Sequence, residues 1–236
     1  MGWNGYSDYT PVATKKEKAR KQLIKLQKKD PGVTPIVIEG RKIAKTWWGI
    51  SWCKNLESYA DYSNRIGRGG TYIRNGFVLD LRVEQGLIRG KVCGSSLYDV
   101  TIKIDPLNEK AKAEIINAVG RRIESIESLT NGAFPEEFQE LFLRQGKGLF
   151  PTPREIHLDC SCPDWADMCK HVAAVLYGVG ARLDTDPLIF FKLRGIDVNE
   201  FIKKSLDEKL KNMMRNAGKK TDRVLDNADI GELFGV

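Results

Sequence analysis

The sequence predicts an α+β chain: a basic N-terminal helix, an antiparallel β-meander with helices, then a compact cysteine–histidine finger followed by short helices. Three observations predict it. Apolar and polar residues alternate with period two in three runs between residues 71 and 104, as in strands wetted on one face. After Pro106, and again from 169 to 183, apolar residues recur at three- and four-residue spacing, which is helical. Between those two stretches, Cys160, Cys162, Cys169 and His171 cluster.

Taken in order, Thr14 and Glu17 form a capping box, which predicts a basic helix stopped by Pro31-Gly32. Ala19, Leu23 and Leu26 give that helix a thin apolar stripe. In the meander, Phe77, Leu79, Leu81 and Val83 point one way and Val78, Asp80, Arg82 and Glu84 the other. Residues 88–92 and 98–104 repeat the alternation across short polar turns. Ile115, Ile116, Val119, Ile123 and Ile126 predict one helix, and Phe138, Leu141 and Phe142 a shorter one. Val172, Val175, Leu176, Val179 and Leu183 trace one face of a helix that begins near Cys169. Asp186-Pro187 opens a short helix with Leu188, Ile189 and Phe190, and Asp197 with Glu200 opens another with Phe201, Ile202, Leu206 and Leu210. Residues 212–229 read as a loose polar stretch before an apolar tip. Gly146, Gly148 and Pro151 mark a break. The expected organisation is a basic segment (1–35), an α+β domain (36–150), the finger with its following helices (151–200), and a C-terminal helix and tail (201–236).

The formal net charge is +7, concentrated as +5 in residues 1–35 and +4 in 36–105, while 106–155 and 156–236 carry −1 each. A basic half suggests a polyanion such as nucleic acid; a solvated basic face without a partner is the alternative. No apolar run reaches the ~20 residues that span a bilayer, and the first thirty residues lack a signal-peptide core, so a cytoplasmic location away from membranes is expected.

Five cysteines without a secretory signal argue against a disulfide scaffold. The spacing Cys160-x-Cys162, then Cys169-x-His171, suits one Zn²⁺. A strand over 156–159 would present two sulfurs, and the first turn of the next helix the third sulfur and an imidazole. Unpaired N–H groups at that helix start would hydrogen-bond thiolate. Four protein ligands close the coordination sphere, so the zinc is structural and decides whether residues 156–195 fold. Iron–sulfur ligation is a weaker rival, and His157 reads as a strand residue and not a ligand.

The run CSCPDWADMCKHVAAVLYGVGARLD from Cys160 to Asp184 resembles the SWIM zinc finger of bacterial and archaeal SWIM-domain proteins. TPVATKKEKARKQL (10–23), KTWWGISWCKNLESYADYSNRIGRGGTYIRNGFVLDL (45–81), LYDVTIKIDPL (97–107), GLFPTPREI (148–156) and PLIFFKLRGID (187–197) resemble further segments of those proteins. The resemblance implies a zinc-dependent module for binding DNA or proteins. It also implies a Swi/Snf-type helicase-like ATPase as partner, because such proteins are often encoded beside one. It attaches no catalytic activity.

Residues 45–74 interleave Trp47, Trp48, Trp52, Tyr59, Tyr62 and Tyr72 with basic residues and with Gly67, Gly69 and Gly70. One reading makes Arg65, Arg68 and Arg74 a phosphate-binding patch. The other makes the tryptophans core and the glycines a turn. Lys170, Arg182 and Arg194 are candidate backbone contacts from the zinc side, or solvated charges. The expected function is a zinc-binding adaptor for DNA or RNA, for a helicase-like partner, or both. A pure protein–protein scaffold is the alternative. A metal-dependent nuclease using Asp159, Asp164, Asp167, Asp184 and Asp186 is the least favoured reading, because with one of the only two histidines bound to zinc general acid–base chemistry has few candidates.

Overall fold

Alternation builds the sheet. In the computed structural model, which describes residues 10–58, 63–122, 137–144 and 146–197 with scattered helical positions between 203 and 216, four antiparallel strands lie in chain order. They are β1 (Val78–Glu84), β2 (Leu87–Cys93), β3 (Leu97–Ile104) and β4 (Ile156–Cys160). Register places Ile88 opposite Ile102, Gly90 opposite Val100 and Val92 opposite Tyr98, so the expected apolar positions share one face. The other face is not uniformly wet. Val78 and Asp80 of β1 are also buried. Leu81 N–H donates to the Thr34 carbonyl and Ile36 N–H to that of Val78, so residues 34–36 cover the strand edge. Asp80 accepts from Thr34 N–H (2.9 Å) and from Arg82 Nε (3.0 Å), which is how its carboxylate is tolerated inside.

Helix α1 spans Val12–Lys29. It starts two residues ahead of the expected capping box, after Pro11 and with no side-chain cap, and it docks through Ala19, Leu23 and Leu26. Residues 45–74 form two helices that alternation and turn signals did not suggest: α2 (Trp47–Glu57) and α3 (Ser63–Arg74). Helices α4 (Glu109–Arg122) and α5 (Glu137–Leu143) fall where expected; Ile123 and Ile126 lie outside the described residues. Helices α6 (Lys170–Leu183) and α7 (Ile189–Leu193) follow β4. The expected helix opening at Asp197–Glu200 lies mostly outside the described residues, although Leu206 and Leu210 are helical. No described helix is long and apolar enough to cross a membrane.

Helix α6 is the centre of the molecule. The sequence marks one apolar face, yet eleven residues around its whole circumference are buried, including Ala173, Ala174, Gly178 and Gly180. It lies between the sheet on one side and α2 with α3 on the other. Small residues make that possible. A Cβ on Gly90 would sit 2.5 Å from Val175 Cγ2, and one on Gly69 would sit 2.5 Å from Ala173 Cβ and 2.9 Å from the backbone of Ala173 and Ala174. The boundary drawn between residues 150 and 151 is crossed by the sheet itself, since β4 pairs with β3, and one buried cluster holds residues from both sides.

Gly69 and Gly67 therefore respond oppositely to alanine. Gly69→Ala pushes α3 off α6 and is expected to cost about 2 kcal/mol. A Cβ on Gly67 would meet nothing within 4 Å, and the residue sits inside a helix, so Gly67→Ala is expected to stabilise by up to about 1 kcal/mol. Urea melts of the two variants check the pair; equal effects would contradict this helix contact.

Candidate metal centre

Strand β4 delivers the first two ligands. Its pairing sets Cys160 opposite Val100, and Ser161 continues the ladder by donating N–H to the Asp99 carbonyl (3.0 Å) while its Oγ accepts from Asp99 N–H (3.0 Å). Cys162 follows that clamp, and Pro163 turns the chain. The other two ligands come from the start of α6. Cys169 is its N-cap, with Val172 N–H donating to Sγ at 3.5 Å, and His171 stands one position into the first turn after Lys170. This is the thiolate-capping arrangement expected from the sequence.

The four ligand atoms all lie within 4.8 Å of one another. Nδ1 of His171 is 3.9 Å from Cys160 Sγ and 3.8 Å from Cys169 Sγ. Tetrahedral zinc bonds of ~2.0–2.3 Å separate ligand atoms by about 3.6–3.8 Å, so the cluster is close to zinc size. The imidazole supplies an independent sign of fit. It is buried, and its Nε2 has no hydrogen-bond partner. Nδ1 meets only distant sulfur. A buried ring satisfied at neither nitrogen is costly, and a metal on Nδ1 removes half of that cost. The ring is fixed by Tyr98 (centroids 4.5 Å apart) and Tyr72 (5.4 Å), while Gly94 leaves room, since a Cβ there would approach Nε2 to 2.9 Å. One structural zinc on Cys160, Cys162, Cys169 and His171 fits this donor set, with no position left for a reacting group.

The thiols are electrostatically unequal. Hydrogen bonding from Cys160 lowers the Cys169 thiol to about 3, against the effect of burial, and the His171 ring and the Val172 amide act in the same direction. Neighbouring Cys169 raises Cys160, and burial raises Cys162. Three thiolates on one divalent ion leave a net negative site. Arg65 of α3 stands close enough for Cys169 and Cys162 to raise its own pKa, after the larger effect of its ion pair with Asp164 in the finger loop.

The remaining predicted residues scatter. Arg65 is engaged with Asp164. Arg68 is exposed one turn further along α3. Arg74, at the helix end, donates from Nε to the Arg41 carbonyl (3.1 Å). Lys170 holds its Nζ 5.7 Å from the centroid of Tyr72. Trp48 and Trp52 are core, and their indole N–H groups donate to the carbonyls of Leu183 (2.9 Å) and Leu176 (2.7 Å). Gly67, Gly69 and Gly70 lie within α3 and not in an anion-cradling loop. Tyr59 and Tyr62 lie outside the described residues. Arg182 donates to the Thr34 carbonyl (3.4 Å), and Arg194 is 1% exposed, neither solvated nor facing outward. His157 is an exposed strand residue bonded to Asp105 (3.0 Å). Among the carboxylates, Asp184 accepts from Lys45 N–H (2.7 Å) and Thr46 N–H (3.0 Å) ahead of α2, and Asp186 accepts from Leu188 N–H (3.2 Å). Among the described residues, the cysteine–histidine group is the one metal-binding cluster. Sequence reasoning missed Trp165, which projects fully into solvent between the ligand pairs.

Residues 146–179 match the SWIM zinc finger family. Uncharacterized protein Rv2102 of Mycobacterium tuberculosis is 36% identical over 156 residues, which is 65% of this chain and 56% of that protein. The likeness therefore extends beyond the finger, while the chain spans just over half of that relative's length. No solved structure matches the chain significantly.

Proposed function

We propose that this chain, which carries a SWIM zinc finger, is a zinc-organised nucleic-acid-binding protein that binds without turning its ligand over. The observation that carries the reading is the charge of α1. Its eighteen residues hold eight Lys/Arg against one Glu, a net of +7 that equals the formal charge of the whole chain. Only one narrow stripe of α1 docks, so the cations line its exposed surface. Glu17 engages Arg20 and Lys21, and Lys18 Nζ donates to the Ser95 carbonyl (2.5 Å). That leaves Lys15, Lys16, Lys25, Lys28 and Lys29 open to phosphate. The zinc site stands next to this helix: Ser95 Oγ meets Tyr98 Oη at 2.6 Å, and the Tyr98 ring packs at a tilt against His171. Binding without turnover accords with Asp164 being engaged by Arg65, and Asp184 and Asp186 by backbone amides.

A protein partner is the second reading, with the Swi/Snf-type ATPase implied by resemblance as its first candidate. Leu206, Leu210, Met213 and Met214, all helical, are 54–72% exposed, an apolar series at three- and four-residue spacing that suits a docking helix.

Salt dependence tests the leading reading. Each phosphate contact contributes about −0.9 to the slope of log K against log salt on duplex and about −0.7 on single strands. Replacing Lys15, Lys16, Lys25 and Lys28 together by Ala is expected to flatten that slope by about 3 units while leaving zinc content unchanged. An unchanged slope, or no binding by the wild-type chain at low salt, would remove the reading.

A further inference from the structure

Trp165 is treated differently from every other described aromatic. All the others are buried or half-buried, whereas Trp165 is 101% exposed. Leaving so large an apolar side chain in water forgoes roughly 2–3 kcal/mol of burial. The loop that presents it is short and held at both ends. Cys162 and Cys169 are metal ligands, and Asp164, next to the tryptophan, pairs with Arg65 of α3. Asp164 Oδ1 also accepts from Ala166 N–H at 3.4 Å, closing a turn around residue 165. The ring is therefore presented on a fixed support, with little ordering entropy left to spend on contact.

What surrounds the ring narrows its partner. The other large exposed apolar side chains among the described residues are in α1, the segment after it, α5 and the 206–214 region; none lies in the finger. Trp165 is thus not the centre of an apolar patch of the kind protein interfaces bury. The charged groups that reach this loop from the packed helices are cations: Arg65 neutralises Asp164, Lys170 acts on the same carboxylate, and Arg68 is exposed one turn beyond Arg65.

We propose that Trp165 is a stacking platform for an unpaired base, so that the nucleic acid bound is single-stranded. The proposal rests on the nucleic-acid reading above and specifies its ligand. Stacking of one base on an aromatic ring contributes about 1–3 kcal/mol. Opening a duplex step for the ring costs a few kcal/mol, which a single stack does not recover. An unpaired strand offers a free base face at no such cost, and Arg68 and Lys170 stand on the two helices whose cations reach this loop.

The test uses the full zinc-loaded chain, a fluorescent oligothymidine and a duplex of equal length, with Trp165→Ala and Trp165→Phe. The expected result is tighter binding of the single strand by the wild-type chain. Trp165→Ala should lose about 5- to 150-fold of single-strand affinity with its salt slope and duplex affinity unchanged, and Trp165→Phe should restore most of the loss. Because the side chain touches no core, zinc content and melting should match wild type in both variants. Single-strand affinity of Trp165→Ala within twofold of wild type, while the chain still binds, would overturn the stacking role alone. Loss of capture of a protein partner with oligonucleotide binding intact would reassign the ring to that partner and equally overturn it. Failure of the wild-type chain to bind either probe would remove the underlying reading and the proposal together.

Discussion

Chelation of zinc is expected to abolish the cooperative thermal transition of the whole described fold, not of the finger alone. The sequence assigns zinc control of residues 156–195, but the ligands sit on the two elements that the rest of the molecule is built around. Cys160 ends β4, an edge strand of the described sheet, and Cys169 with His171 begins α6, whose sides are covered by the sheet, α2 and α3. Structural zinc contributes roughly 10–16 kcal/mol, while a domain is stable by only about 5–15 kcal/mol. Without the ion, two half-buried and one buried cysteine sulfur face the Nδ1 of a buried imidazole that then has no partner at either nitrogen but distant sulfur. Cys169→Ser should reproduce the effect of the chelator, because it removes a zinc ligand while leaving a hydroxyl able to cap α6. Cys53→Ser is the control: that thiol is pushed up to about 12, chiefly by burial, and stands outside the cluster. Circular dichroism melts with zinc titration would decide it. A metal-free chain that retains a cooperative melt would show that the apolar core suffices and that zinc orders only the loop.

The zinc ligands were legible because their chemistry is local: four donors in one short run need no knowledge of the fold. The same holds for β1–β3, whose alternation survives into register. What the sequence hid depends on contacts across the chain. Gly67, Gly69 and Gly70 lower helix propensity and suggest a turn, yet α3 forms because Gly69 must pass Ala173 closely. The apolar face of α6 was readable from Val172 to Leu183, but not its burial on all sides, since alanine and glycine carry little periodic signal. Of the two readings open for residues 45–74, the core one holds for Trp48 and Trp52, whose indole N–H groups reach carbonyls of α6 more than a hundred residues away, a contact no local pattern reports. Trp165 carried the opposite lesson, because no periodicity reports the exposure of a residue within a loop.

Arg194→Met is expected to cost about 3–4 kcal/mol, the second largest effect, at a position that reads from sequence as an ordinary cation at a helix end. Its guanidinium is buried, donates to the Asp105 carbonyl (2.5 Å) and pairs with Glu155 (2.5 Å), and so joins the end of β3, the residue before β4 and the end of α7. Removing one partner of a buried pair strands the other, which is the costly way to break it. Burial raises the Glu155 carboxyl, but the Thr152 amide and hydroxyl and the Arg194 guanidinium outweigh it, and the net direction is below the ordinary value of 4.5. A depressed carboxyl contributes stability that is present above its unfolded value and lost as pH falls through the lower folded one. The stability gap between wild type and Glu155→Gln should therefore be full near neutrality and narrow as pH falls below about 4.5, with acid release of zinc common to both proteins. Arg194→Met combined with Glu155→Gln should destabilise less than the sum of the two. Urea melts across that pH range check both statements. Additive costs with a gap that does not narrow would mean that Arg194 acts by filling space, and that β4 takes its position from the zinc and the sheet alone.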